Sequence, residues 1–208
     1  CQAGQIDIGR FSLDNVSVLS LNIGQPEDLL QSARMYASAG VLSIETEKPH
    51  FENERNSAFR VQMRGGSFGY VSPSIRWWQK AGSRTSFSLN GNYMRADGNY
   101  PFTLVNGKYV TEEKRNNSAI YTYQIEPTLF HTFKDSSNLE LKAYYFYSKR
   151  GLPGSVTLYN PISDETLWDE NVFIQTRYKK DFSQKWSLQA QAKYNHGWNK
   201  YEDKGNEY

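Results

Sequence analysis

The sequence predicts a mainly β protein: part of a membrane-spanning antiparallel β-barrel, about seven strands, preceded by a small α/β unit. Three observations predict it. Segments of roughly ten residues alternate apolar and polar, as side chains do on the two sides of a strand. Short polar turns and long polar loops take turns joining these segments, as periplasmic turns and extracellular loops do in outer-membrane barrels. The apolar phase is rich in Tyr, Trp and Phe, which make up 15% of the 208 residues.

Composition supports the same class. Apolar residues are 38% of the chain, low for a packed globular core. The mean hydropathy is −0.73, and no run approaches the ~18 apolar residues of a membrane helix. A barrel strand meets lipid with every second side chain only, so a hydrophilic average suits it. A net charge of +2 from 24 basic and 22 acidic residues gives no reason to expect a nucleic-acid partner. The one cysteine, Cys1, excludes an internal disulfide or a cysteine-based zinc site. Heading Cys-Gln-Ala-Gly, it is read as an internal residue at an arbitrary start rather than a lipidated N-terminus. No secretory signal opens the sequence.

Taken in order, residues 1–47 differ from the rest. Asn15–Gly24 alternates and ends at Gly, a strand. Pro26-Glu27-Asp28 suits a first helical turn, where the missing N–H and the dipole favour Pro and acids. Leu29, Leu30, Ala33 and Ala37 continue at helical spacing, and Val41–Thr46 is a second strand. Residues 48–57 are a polar linker. The barrel beat fills 58–208: strands over Ala58–Gly66, Tyr70–Lys80, Thr85–Arg95, Ser118–Phe133, Leu139–Lys149, Val172–Lys180 and Trp186–Asn195. In the third, Phe87, Leu89, Gly91 and Tyr93 share one face, and Ser86, Ser88, Asn90 and Asn92 the other. Short turns are expected at Ala81–Arg84, Lys134–Asn138 and Asp181–Lys185, and long loops at Ala96–Asn117 and Arg150–Asn171. The polar stretch Lys200–Tyr208 follows. Outward mid-strand positions carry almost no charge, which would cost about 2–4 kcal/mol at a bilayer midplane. Pro73 and Pro127 fall inside strands, where proline removes a ladder donor, so bulges or strand ends are expected there. An odd number of strands would leave open edges, so the chain is expected to be part of a longer protein.

Chemistry-bearing clusters are sparse. His50, His131 and His196 share no metal-ligand spacing. Gly65-Gly-Ser-Phe-Gly69 lies between strands, which speaks against a phosphate cradle. Asp164-Glu165 and Asp169-Glu170 flank Trp168; they suit a solvated loop, a Ca²⁺ site on a rim, or an acid pair for hydrolysis. No catalytic triad can be assembled, so an enzyme is not expected. The run Glu112-Glu-Lys-Arg115 reads as solvated loop. Trp77, Trp186, Tyr93 and Tyr145 fit an outward interface belt. Tyr100, Phe102, Tyr109, Tyr159 and Trp168 fall in the long loops, where they either contact a ligand or pack the loops.

Two stretches carry a family resemblance. Asn15-Val-Ser-Val-Leu-Ser-Leu-Asn-Ile-Gly24 followed by Tyr36-Ala-Ser-Ala-Gly-Val-Leu-Ser-Ile-Glu-Thr46 resembles the end of the plug domain of TonB-dependent outer-membrane receptors. Gly9-Arg-Phe-Ser-Leu-Asp14 and Ala33-Arg-Met-Tyr-Ala-Ser-Ala39 look most like the Bacteroidetes type. Gly151-Leu-Pro-Gly154 after an aromatic strand looks like the third extracellular loop of its cobalamin-receptor-like branch. The chain departs from the family pattern at Ala37, often Gly there, and at Gly40, where a Gly-Gly pair is usual. The resemblance implies the C-terminal part of a plug domain in 1–47 and the first strands of a transmembrane β-barrel in 58–208. It implies outer-membrane location and active import of a scarce nutrient, cobalamin or an iron chelate, driven by TonB, whose contact segment is not in this sequence. Ligand contact between loops and plug apex points to Arg34, Tyr36, Tyr100, Phe102, Tyr159 and Trp168. Outer-membrane lipid, TonB and a small ligand (a glycan is also compatible) are the implied partners, and a surface lipoprotein is a candidate. No cofactor is implied. The competing expectation is a soluble β-sandwich that binds glycans, its Trp and Tyr stacking on sugars; an outer-membrane barrel enzyme would need a closed even-stranded sheet and a catalytic set.

Overall fold

The computed structural model describes residues 16–23, 40–51, 55–155 and 163–204. Its described residues form strands and connections, with all strand pairs antiparallel. The expected helix near Pro26–Ala37 lies outside the described residues, as do Arg34, Tyr36 and Tyr159.

In the first segment, β1 (Val16–Ile23) pairs with β2 (Gly40–Thr46) as a separate two-stranded sheet. Both strands stand where the alternation puts them. The main sheet has seven strands: β3 (Ser57–Gly65), β4 (Val71–Lys80), β5 (Thr85–Ala96), β8 (Ile120–Thr132), β9 (Asn138–Leu152), β10 (Glu165–Ser183) and β11 (Trp186–Asp203). They lie side by side in chain order, from β3 at one edge to β11 at the other. A meander of this kind needs only local connections between neighbours. Among the described residues the sheet is open, with β3 and β11 as its edges.

Three readings of strand extent are corrected. The first long loop contains a hairpin, β6 (Pro101–Asn106) and β7 (Tyr109–Lys114), turning at Gly107 with φ +60°. Its two-residue loop is Gly107-Lys108, with glycine at the first central position, where a tight hairpin turn favours it. The second long loop is shorter than expected, because β9 runs on to Leu152 and β10 begins at Glu165. The last strand continues to Asp203, through much of the stretch read as polar tail. In each case the added residues mix polar and charged side chains with apolar or aromatic ones, and cross-strand pairing carries them.

The prolines are accommodated without bulges. Around Pro73 the β4–β5 ladder skips Ser72 and Pro73 and resumes in the same register at Ser74↔Asn92. Around Pro127 the β8–β9 ladder skips Glu126 and Pro127 and resumes at Thr128↔Lys142. Each proline's missing donor thus falls at a local gap between two strands, while the ladder on its other side continues.

The register sorts the side chains into two faces. On one, Trp77, Leu89 and Pro127 follow one another across β4, β5 and β8. The next row toward the loops holds Ile75, Gly91, Ile125, Tyr145, Val172 and His196. A third holds Tyr93, Tyr123, Tyr147, Glu170 and Trp198. The opposite face carries Ser72, Arg76, Trp78, Ser88, Gln124, Glu126, Thr128, Ser148 and Asp169, all buried, together with Tyr144, Phe146 and Phe173. The ring of Tyr144 stacks on that of Phe173 at 4.7 Å. The polar face is the covered one. Phe59, Val61, Met63, Ile75, Phe87, Ile125, Leu141 and Ile174, on the apolar face, are exposed.

Candidate functional site

The connections segregate by end. At one end are the turns at 81–84, 133–137 and 184–185. At the other lie the β3–β4 connection at 66–70, the long insertion at 97–119 with its hairpin, and the connection after Leu152.

The loop end is built from contacts between connections. The carbonyl of Phe68 accepts hydrogen bonds from the N–H groups of Asp97 (2.9 Å) and Gly98 (3.2 Å). Phe68 adopts φ +58° and Gly69 φ +71° to make this corner. A Cβ on Gly69 would also meet the Asp97 carboxylate at 2.3 Å, so the tight approach requires glycine. The ring of Phe68 meets Tyr100 edge-on at 6.1 Å, and Tyr100 meets Phe102 at 6.4 Å. A second group of contacts ties the insertion to the Gly-Leu-Pro-Gly segment. Arg115 Nη2 donates to the carbonyls of Pro153 (2.9 Å) and Gly154 (3.0 Å). Asn117 Nδ2 donates to the carbonyls of Leu152 (3.1 Å) and Glu165 (2.6 Å), spanning the ends of β9 and β10.

Tyr100 and Phe102, both expected from sequence, therefore come together, joined by Phe68. Tyr109 lies on β7 and is 73% exposed. Trp168 is corrected: it is on β10, not in a loop, and faces the apolar side, between Lys149 on β9 and Lys200 on β11. The acid pair beside it does not converge. Asp169 turns to the polar, covered face, where Arg150 donates to it at 3.3 Å, and Glu170 stands on the apolar face. Adjacent strand residues point apart, so this pair cannot act on one bond. Among the described residues no group of three or more His, Cys, Asp or Glu is placed to hold a metal ion. His131 Nδ1 lies 2.8 Å from Thr85 Oγ1 at the short-turn end, away from the loops.

The polar face of the sheet meets the first segment. Glu47, just after β2, forms an ion pair with Arg76, whose side chain is only 6% exposed. Lys142 Nζ donates to Thr46 Oγ1 at 2.7 Å and lies 3.7 Å from Glu126. The guanidinium groups of Arg60 and Arg76 lie over Trp78 at 6.0 and 5.3 Å. Sequence reasoning missed these residues. Their one signal was the cation content of the polar phase in β3 and β4, where Arg60, Arg64 and Arg76 fall on one face. It also missed Arg115, read as solvated with the run Glu112–Lys114, and Asn117; both act on partners more than thirty positions away.

No family model matches the chain, and no curated protein matches it.

Proposed function

We propose that this chain forms one stretch of the wall of an outer-membrane β-barrel receptor, with the β1–β2 unit as part of a plug held against the wall's inner face. The receptor imports a scarce nutrient of the cobalamin or iron-chelate type with energy coupled through TonB. One observation carries the reading. Across its five central strands, β4, β5, β8, β9 and β10, the sheet covers its polar face and exposes much of its apolar one, while the edge strands β3 and β11 are exposed on both. In water that arrangement forfeits the burial of apolar surface, worth about 25 cal/mol per Å². In a bilayer it is favourable, since hydrocarbon contacts the apolar side and a wet interior contacts the polar side. A soluble sandwich requires the reverse.

The layering supports it. Tyr93, Tyr123 and Tyr147 form one aromatic row, their ring centroids 5.1 and 6.0 Å apart in turn. At the short-turn end His131, Phe133 and Tyr178 form another, at 4.6 and 6.3 Å. Aliphatic and aromatic side chains dominate the rows between, which also hold Gln79, Thr176 and His196. From Tyr93 to Thr85 the strand climbs about 27 Å at ~3.4 Å per residue. Tilted by about 40°, that is roughly 20 Å of height, close to the ~25 Å apolar band of such barrels. The Glu47–Arg76 pair and the Lys142–Thr46 bond are then ties between plug and wall, which plug movement must break. The loop end, with Phe68, Tyr100 and Phe102, is the side from which ligand arrives.

The test uses nitroxide labels at Leu89, Leu141 and Tyr194, all in the rows between the two aromatic ones, in the intact protein. Quenchers dissolved in lipid should reach all three. Protection of all three from lipid-phase quenchers would overturn the barrel reading. A paired substitution sharpens the result. Ile174→Lys, on the lipid face near mid-height, should destabilise the folded protein by about 2–4 kcal/mol. Asn92→Lys, on the inner face, should cost less than about 1 kcal/mol. Equal costs, measured by denaturant titration in detergent or lipid, would count against the assignment of faces.

A further inference from the structure

One row on the outward face has a chemistry that import does not use. The register aligns Arg95, Tyr121, Lys149, Trp168 and Lys200 across five successive strands. Cation and aromatic alternate along it. Arg95 lies over Tyr121 at 5.6 Å, and Lys149 and Lys200 both lie over the Trp168 ring at 5.6 and 4.9 Å. The row sits one step beyond the Tyr93–Tyr123–Tyr147 row, between the apolar band and the loops. Lys149 and Lys200 are two strands apart, about 10 Å at ~4.8 Å per strand.

We propose that Lys149, Trp168 and Lys200 form a binding site for the phosphate headgroup of an anionic outer-leaflet glycolipid. The proposal rests on the barrel reading above, which sets this face against lipid. Three features favour a lipid over any other occupant. The cations point to the same side as Val172 and Ile174, away from the inner face. They stand at the border of the apolar band, where a headgroup sits when its acyl chains run down beside Tyr145, Val172 and Ile174. Trp168 stands on the strand between the two lysine-bearing ones, and its ring occupies the interface, as tryptophan does at membrane borders. One acid, Glu202, stands within the site, bonded to Lys200 and near enough to Lys149 to share its charge, and the other acids of this face lie beside it. Asp97 holds Arg95 at 3.1 Å, Glu202 bonds Lys200 at 2.8 Å, and Glu170 lies one row toward the band. Arg95 is thus engaged by its own loop. Lys200 is shared with a carboxylate that a phosphate dianion outcompetes in charge. Juxtamembrane cations attract anionic headgroups by a charge-dependent amount that two lysines together make substantial.

The experiment is native mass spectrometry of the intact protein in detergent, with three probes: bis-phosphorylated lipid A, the same lipid dephosphorylated, and inorganic phosphate. The unmodified protein should retain the phosphorylated lipid. The double variant Lys149→Gln/Lys200→Gln should retain it roughly tenfold or more weakly. Lys149→Arg/Lys200→Arg should restore retention, which a mere loss of folding would not allow. Equal retention by the unmodified protein and the glutamine variant overturns the proposal, and so does equal retention of the dephosphorylated lipid. Inorganic phosphate bound as tightly as the lipid would overturn the lipid source. A nitroxide at Leu141 in the same samples separates the two readings. If lipid-phase quencher reaches it while retention is unchanged by substitution, the headgroup site alone fails; if quencher does not reach it, the barrel reading falls and takes the site with it.

Discussion

The two ends of the seven-stranded sheet solve one problem in opposite ways. At the short-turn end each connection closes on itself and touches only an adjoining strand, as Thr132 N–H bonds the Arg84 carbonyl and Lys180 bonds Asp135. Ala81 N–H bonds the Thr85 carbonyl across its own turn, and Phe133 N–H bonds Ser137. At the loop end each connection depends on another: Phe68 on Asp97 and Gly98, Arg115 on Pro153 and Gly154, Asn117 on Leu152 and Glu165. The difference teaches where binding specificity can arise. Self-contained turns fix register and little else. Interlocked loops form a single surface whose shape changes when any member changes, as a ligand-facing surface requires.

The strongest way to break this contrast is a methyl group at Gly151. Its Cβ would stand 2.4 Å from both the Asn117 carbonyl oxygen and its Oδ1. Since backbone is one of the clashing partners, the loop must shift rather than a side chain swing aside. Gly151→Ala should cost up to about 3 kcal/mol, the range of overpacked sites. Gly82 is the control at the other end. It has φ +94° but nothing within 4 Å of an added Cβ. Gly82→Ala should cost only the backbone penalty of about 1–2 kcal/mol. The decisive readout is local: hydrogen exchange should rise across residues 97–119 for Gly151→Ala and stay unchanged there for Gly82→Ala.

A milder cut removes one clamp. Arg115→Met deletes two charge-assisted bonds to carbonyls while keeping an unbranched stem, for a loss of about 1–2 kcal/mol. Limited proteolysis should then cleave near Pro153–Ser155 faster, with the sheet's thermal midpoint little changed. Unchanged cleavage would mean that the loops are held elsewhere.

The same contrast explains what was legible in the sequence. The strands and the turns at 81–84 and 133–137 could be read because their causes are local: alternation, a Gly-Ser or Asp-Ser-Ser run, and pairing of neighbours. The Tyr100–Phe102 pair was legible as loop aromatics, but not Phe68, which joins them from a separate connection. Trp168 was misplaced because its neighbours Asp164, Glu165, Asp169 and Glu170 look like loop; its strand state comes from pairing with Lys149 and Lys200, thirty or so positions distant or less on either side. The Arg115 and Asn117 clamps have no local signature at all. Side-chain bonds to distant carbonyls are decided by tertiary placement, which periodicity does not encode.

The smallest effect lies in the turn at 133–137. Asp135 accepts from Lys180 Nζ at 2.7 Å, from the Ser137 hydroxyl at 2.7 Å and from the Ser137 N–H at 3.2 Å. Those bonds, the lysine's first, hold its carboxyl well below the usual carboxylate range. A carboxyl whose folded value is depressed adds stability above its unfolded value, about 3.9, and that stability is lost as pH falls through the folded value. The Asp135 side chain is half-exposed, so solvent screening keeps the gain small. Asp135→Asn should lower the thermal midpoint slightly at neutral pH, and the gap to the unmodified protein should narrow only on acidification below about pH 4. A gap that stayed constant down to strongly acid conditions would show that the turn owes its stability to the shape of the Ser137 bonds alone, with no part played by the charge that Lys180 brings from the neighbouring strand.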